Sequence, residues 1–232
     1  MANYEDLIKP GLFGNGAYAD TRREEFDIKN GTVFVNDIPV DICFIGDSIT
    51  HFWETNSFFS EYGTVINRGI GGDMAHIMLK RFDADVLQLK PKVAVVLIGF
   101  NNMLCLKEFE DKTTPEFHAK EQEVFDLIVS CWNEIIDKCE AANQKLIMCT
   151  LTPTLWPPEI NNLIFKVNEK LREICRERKI LLADYNASLL DAEGDKMSWD
   201  YSVDGTHPNG YGYRLMSGIL KPELDKILKR ED

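Results

Sequence analysis

Ile42-Cys43-Phe44-Ile45-Gly46-Asp47-Ser48-Ile49-Thr50 is an apolar run that stops at a glycine and passes into polar residues favoured at helix starts. Four large apolar residues bounded in this way read as a strand buried on both faces, the kind found in parallel sheets. Ser48 then stands where the strand turns into a helix. A hydroxyl at that junction lies at the carboxyl edge of the sheet, and the helix points its partial positive end at any charge developing there. Taken singly, Ser48 reads as a helix N-cap.

The same punctuation recurs along the chain. Core strands are predicted at about 41–46, 64–68, 93–98, 145–150 and 180–184. Between them apolar residues return at helical spacing: Ile77, Met78 and Phe82; Val124, Ile128, Cys131, Ile135 and Cys139; Leu163, Val167, Leu171 and Ile174; and finally Met216, Leu220, Leu224 and Ile227. Strands alternating with helices predict an α/β fold, a three-layer α/β/α sandwich around a mostly parallel five-stranded sheet of flavodoxin-like plan. Ahead of it, the Asn30-Gly31 pair and the Val33-Phe34-Val35 stretch predict a small hairpin over 28–41.

The far end of the chain changes the reading of Ser48. Asp204-Gly205-Thr206-His207-Pro208 puts a carboxylate and an imidazole three residues apart in a loop. There Asp204 is able to accept the Nδ1 proton of His207, which leaves Nε2 free to take a proton from a serine hydroxyl. An isolated D-x-x-H is more often a local Asx turn; together with Ser48 it points to a nucleophile and its base. Acyl transfer also needs donors for an oxyanion, and two segments offer them. In Asn67-Arg68-Gly69-Ile70-Gly71-Gly72-Asp73, the Gly72 N–H is open to close approach and Asp73 is a candidate cap for a helix beginning near Met74. That segment is also an incomplete dinucleotide fingerprint, with Met74 where the third glycine belongs. In Val93-Ala94-Val95-Val96-Leu97-Ile98-Gly99-Phe100-Asn101-Asn102, a central strand ends in two amides, and Asn101 either offers a side-chain N–H or satisfies the turn.

These four segments, in this order, resemble the SGNH hydrolases, also called the G-D-S-L esterase and lipase family, over most of the chain. Asn101-Asn102 and the run Asn67 to Asp73 look most like the branch holding platelet-activating-factor acetylhydrolase catalytic subunits and bacterial carbohydrate acetylesterases. The resemblance implies Ser48 as nucleophile, Asp204 and His207 as the rest of a catalytic triad, and an oxyanion hole made by Ser48 N–H, Gly72 N–H and the Asn101 side chain. Residues 41–232 would be the SGNH hydrolase domain and residues 1–40 an N-terminal extension packed on it. Phe100 departs from the small residue common at its position, which bears on the shape of the pocket. A G-x-S-x-G elbow is absent, against an ordinary α/β-hydrolase.

The implied activity is a serine esterase cleaving a small, acetyl-type carboxylic ester, with no cofactor. Loops Met103 to Thr114 and Pro153 to Pro158 should overhang the site and bring Leu104, Leu106, Leu155 and Trp156 near it. Trp53, Phe100 and Trp156 are the candidate substrate contacts, with Phe52 beside them; packing of Phe52 and Trp53 against the sheet is the competing reading. The alternative function is a non-catalytic carbohydrate- or lipid-binding protein on the same fold.

Composition narrows the remaining classes. A chain of 232 residues, 44% hydrophobic, is long enough for one sizeable core, and no linker divides it. A formal net charge of -12 disfavours nucleic acid as partner, because phosphate binding needs a basic surface. The six cysteines form no C-x-x-C pair, and Cys43, Cys131, Cys139 and Cys149 read as buried thiols. His51, His76 and His118 lack metal-ligand spacing, so no metal is expected. No signal-peptide pattern or membrane span is visible, which gives a cytoplasmic expectation with a small-molecule ester as the partner. A homo-oligomer is left open.

Overall fold

A computed structural model describes residues 2–14 and 16–228. Its centre is one five-stranded sheet built from β1 (Ile42–Gly46), β2 (Val65–Gly69), β3 (Val93–Leu97), β4 (Leu146–Cys149) and β5 (Leu181–Ala183), in the order β2-β1-β3-β4-β5, with every neighbouring pair parallel. The register pairs Gly46 with both Gly69 and Leu97, so the carboxyl ends of β2, β1 and β3 finish level. All five residues of β1 and of β3 are buried, which is why these strands read as continuous apolar runs rather than alternating ones.

Successive residues of a strand point to opposite faces, and β1 shows what covers each. The Cys43 Sγ lies 3.4 Å from the Asp85 carbonyl, at the end of α4 (Ala75–Asp85). On that side α4 packs against α5 (Pro115–Ala141), and α5 against α6 (Pro158–Arg178). Phe44 turns the other way, with its ring against Trp53 and Phe59. That face is closed by α2 (Ser48–His51), α3 (Thr55–Phe59) and α7 (Gly210–Leu228), with Trp53 stacked on Tyr213 of α7 at 5.4 Å. Each such fully buried aromatic ring contributes roughly 1.5–3 kcal/mol by leaving water. The predicted α/β/α sandwich with its parallel sheet is therefore the fold. Among the described residues, no helix is long and apolar enough to cross a membrane.

The amino-terminal region departs from expectation. In place of a hairpin over 28–41, Arg23–Val35 forms helix α1. Its buried residues are Arg23, Phe26, Asn30 and Gly31, at the i, i+3, i+7, i+8 spacing of one helical face. The Asn-Gly turn preference yields to tertiary contacts. Asn30 donates to Asp85 (2.7 Å) and accepts from Arg68 (2.8 Å), while a side chain at Gly31 would collide with the Tyr4 ring. Arg23 forms a buried two-oxygen ion pair with Asp85, and Arg81 bonds both Asp85 and Asp73. Phe26 packs with Ala19 and Ile70, so this region is fastened to the turn after β2.

Candidate active site

Asp47, rather than Ser48, caps α2: its Oδ1 accepts from Ile49 N–H at 3.0 Å, and Ser48 is the first helical residue. The Ser48 hydroxyl is thereby free for other partners. Its Oγ lies 2.8 Å from His207 Nε2, and His207 Nδ1 lies 2.7 Å from Asp204 Oδ2. The other Asp204 oxygen accepts the His207 and Thr206 N–H groups at 2.8 and 2.9 Å. Burial pushes the Asp204 carboxyl up, but these backbone and ring hydrogen bonds outweigh it and hold the group below its ordinary value. A carboxylate so held keeps the Nδ1 proton in place and leaves Nε2 as the acceptor for the serine proton.

The loop carrying Asp204 and His207 is fixed from several sides. Gly205 has φ +87° and offers its carbonyl to Leu155 N–H (2.7 Å) and to the Thr154 hydroxyl (3.0 Å). The Ser202 hydroxyl donates to the His207 carbonyl at 2.9 Å and accepts from Gly205 N–H at 2.8 Å. A rotamer held in this way costs little further entropy when a reaction begins.

Two turns approach Ser48 from the neighbouring strands. After β2, Gly72 adopts φ +79°, which an L side chain resists, and a Cβ there would strike the Tyr18 ring at 2.6 Å. Among the described residues the Gly72 N–H has no hydrogen-bond acceptor. After β3, Asn101 is buried, and one N–H of its side chain donates to the Asp73 carbonyl at 2.9 Å, which leaves its second N–H unspent. Asp73 Oδ1 accepts the Met74 N–H (2.9 Å) and its other oxygen is taken by Arg81 (2.8 Å), so it does not supply the α4 cap alone. Asn102 Oδ1 reaches across to the Ala75 N–H at 2.9 Å and completes it. Ser48 N–H, Gly72 N–H and Asn101 thus sit at the ends of three level strands, a set of donors able to hold a negatively charged oxygen.

Several expected contacts lie elsewhere. Trp53 is 4% exposed and packed among Phe44, Phe59, Tyr185 and Tyr213; it belongs to the core and cannot meet a substrate. Leu106 is likewise fully buried. Phe100 is 4% exposed and closes against Trp156 (4.8 Å), while the Lys107 ammonium sits over the Trp156 ring at 3.1 Å. Leu155 packs against Gly205. Phe52 instead presents its exposed ring to the site, edge-on to His207 at 5.4 Å and stacked on His51 at 5.0 Å. Tyr18, exposed beside Gly72, has no counterpart in the sequence reading; no periodicity or motif connects residue 18 with residue 72.

A hollow of about 350 Å³ runs past His207, lined by Phe52, Val203, Pro208 and Tyr213. A larger one, about 970 Å³, lies at the opposite, amino edge of the strands beside Asp41, Gly63, Lys92 and Lys145, far from the Ser48 edge. Among the described residues no group of three or more His, Cys, Asp or Glu side chains is placed to hold a metal ion. The six cysteines are free thiols, five of them buried, and burial pushes Cys43, Cys139, Cys149 and Cys175 up to about 12.

Comparison with known proteins supplies independent findings. The model of the GDSL-like Lipase/Acylhydrolase family matches residues 44–215. Human platelet-activating factor acetylhydrolase IB subunit alpha2 is 26% identical over 199 residues, covering 82% of this chain and 76% of the relative. Among solved structures, a GDSL-like lipase from Bacteroides thetaiotaomicron superposes with a TM-score of 0.72 at 24% identity, covering 90% of this chain and 98% of that one. An acetylxylan esterase from Geobacillus stearothermophilus superposes at 0.62 with 18% identity, covering 81% and 95%. At these identities the two structures speak for the shared fold.

Proposed function

The chain belongs to the GDSL-like Lipase/Acylhydrolase family and is a carboxylic ester hydrolase, and from that premise we propose that it cleaves a small, acetyl-type ester through an acyl-enzyme on Ser48. The observation that carries the proposal is the relay from Ser48 Oγ to His207 Nε2 (2.8 Å) and from His207 Nδ1 to Asp204 (2.7 Å).

In this reading His207 accepts the hydroxyl proton as Ser48 Oγ attacks the ester carbonyl carbon. The carbonyl oxygen becomes negative and is met by Ser48 N–H, Gly72 N–H and the free N–H of Asn101. As the tetrahedral centre collapses, the C–O bond to the alcohol breaks and the alcohol leaves with the proton from His207. Water then adds to the acyl-enzyme with His207 again as base, the acid departs, and Ser48 regains its proton. Asp204 stays ionised throughout and compensates the imidazolium.

One observation favours a small acyl group. Phe100, just before Asn101, is buried and packed on Trp156, so aromatic side chains fill the space at the end of β3. Similar proteins bear the names acetylhydrolase and acetylxylan esterase, which agrees with an acetyl ester. Hydrolysis of p-nitrophenyl acetate, butyrate and octanoate by the purified protein tests the acyl preference. A kcat/KM falling from acetate to octanoate is expected; a preference for octanoate would reject the small-acyl reading.

A further inference from the structure

Helix α2 carries Ser48 at its first position and His51 at its last. The His51 ring reaches the turn after β2, where Nδ1 accepts the Gly71 N–H at 3.1 Å. Gly71 is the residue before Gly72, and a Cβ added to it would lie 3.6 Å from His51 Nδ1 and 3.8 Å from Ser48 Cβ. One short helix therefore presents the nucleophile and, one turn later, a hydrogen-bond acceptor for the peptide that leads into the Gly72 donor. An acceptor at Nδ1 requires the ring to be neutral with its proton on Nε2, since both nitrogens of a charged imidazole are donors. We propose that His51 is a positioning residue for the oxyanion hole, holding the Gly71-Gly72 turn through Nδ1, and that protonation of His51 releases it. This inference rests on the serine-esterase reading above.

The rest of the turn is tied in ways that leave this one bond in control of Gly71. Gly69 accepts from Arg22 Nη1 (2.9 Å) and donates to Asn67 (2.8 Å), Ile70 N–H bonds the Gly46 carbonyl (3.0 Å), and Asp73 N–H bonds the Ile70 carbonyl (3.1 Å). Those bonds fix either end of the turn; among the described residues only His51 holds the Gly71 N–H. The surroundings keep the ring neutral. Burial pushes His51 below its usual range, and Arg22 and Lys29 add to that, while Glu25 opposes it. Glu54 and Arg68 border a hollow that His51 shares with Arg22 and Lys29, and Phe52 separates the ring from His207.

The test uses the purified protein with His51→Asn, whose side-chain oxygen replaces the Nδ1 acceptor without titrating, and His51→Phe, which keeps the ring and removes the acceptor. Steady-state turnover of p-nitrophenyl acetate is followed from pH 4.5 to 8, with Ser48→Ala alongside. His51→Phe should lose on the order of 10- to 100-fold in kcat with KM held, less than the ~10²- to 10³-fold of deleting a donor outright. His51→Asn should recover most of that loss. In wild type kcat should fall more steeply on the acid side than in His51→Asn, by up to the loss seen in His51→Phe, because protonating His51 removes the same acceptor. Wild-type kcat in His51→Phe, a change confined to KM, or equal acid slopes in wild type and His51→Asn would overturn the inference. Should His51→Phe fold poorly, the slope comparison with His51→Asn still decides. Turnover persisting in Ser48→Ala would instead remove the esterase reading and this inference with it, whereas an inactive Ser48→Ala beside a fully active His51→Phe would remove only the inference.

Discussion

Replacing Asp47 by asparagine should stabilise the protein, and more so as the pH rises. The side chain is 1% exposed; Oδ1 accepts from Ile49 N–H, while Oδ2 is buried with no partner among the described residues. Burial, aided by the nearby Asp73 charge and opposed by backbone hydrogen bonds, raises the carboxyl from 3.8 to about 7. The folded protein thus keeps a proton on Asp47 over a pH range in which the unfolded chain has lost it. Stability from this group is full below pH 4 or so and is lost as the pH rises through about 7. A displacement of about three pKa units corresponds to roughly 4 kcal/mol. Asparagine keeps the acceptor for Ile49 and does not titrate, so the variant escapes this loss. In a chain of this size the gain at pH 8 amounts to about 10 °C in Tm. Thermal unfolding of both proteins at pH 5, 6, 7 and 8 checks the reasoning through the difference in Tm at each pH, which cancels every group the two share. That difference should already be partly open at pH 5, widen to about pH 7 and level off by pH 8. A constant difference, or a variant less stable than wild type at pH 8, would show that the Asp47 carboxylate is not the source of the cost.

Three further changes probe other parts of the molecule. Asn101→Ala should lower kcat by on the order of 10²- to 10³-fold with little change in KM, the signature of a donor used mainly in the transition state; steady-state kinetics on the acetate ester decide it. Asp204→Asn should keep the fold but favour the wrong His207 tautomer and cost about 10⁴-fold in kcat, read against an unchanged circular dichroism spectrum. Asp85→Asn leaves Arg23 and Arg81 buried without their shared counter-charge, and should cost about 3–5 kcal/mol in urea unfolding.

How much of this was legible beforehand depends on whether a signal is local or assembled. The five strands are visible because burial on both faces writes itself as consecutive apolar residues, as in Val93–Leu97. Helix α1 is hidden for the opposite reason. Its buried face includes Arg23 and Asn30, polar residues that enter the interior only because Asp85 and Arg68 meet them there. Ser48, Asp204 and His207 are recognisable because each sits in a short motif, and the structure brings them within hydrogen-bonding distance of one another. Trp53 is misread because an aromatic residue after the helix start looks the same whether it lines a pocket or fills the core; only the stacking on Tyr213 separates the two. The Tyr18 contact with Gly72 joins distant positions through tertiary packing, and the His51 bond to Gly71 joins two loop-adjacent residues without any motif. Neither has a sequence pattern to betray it.

Ser48 as the nucleophile of an esterase is open to direct chemical test. The direct measurement is stoichiometric labelling of the purified protein by a fluorophosphonate, with the modified residue identified by mass spectrometry of the peptide and Ser48→Ala as control. One label per chain is expected, on Ser48, with none on the variant and loss of turnover of p-nitrophenyl acetate in step with labelling. A label on another residue, or a wild type that hydrolyses the ester while Ser48 stays unmodified, would contradict it.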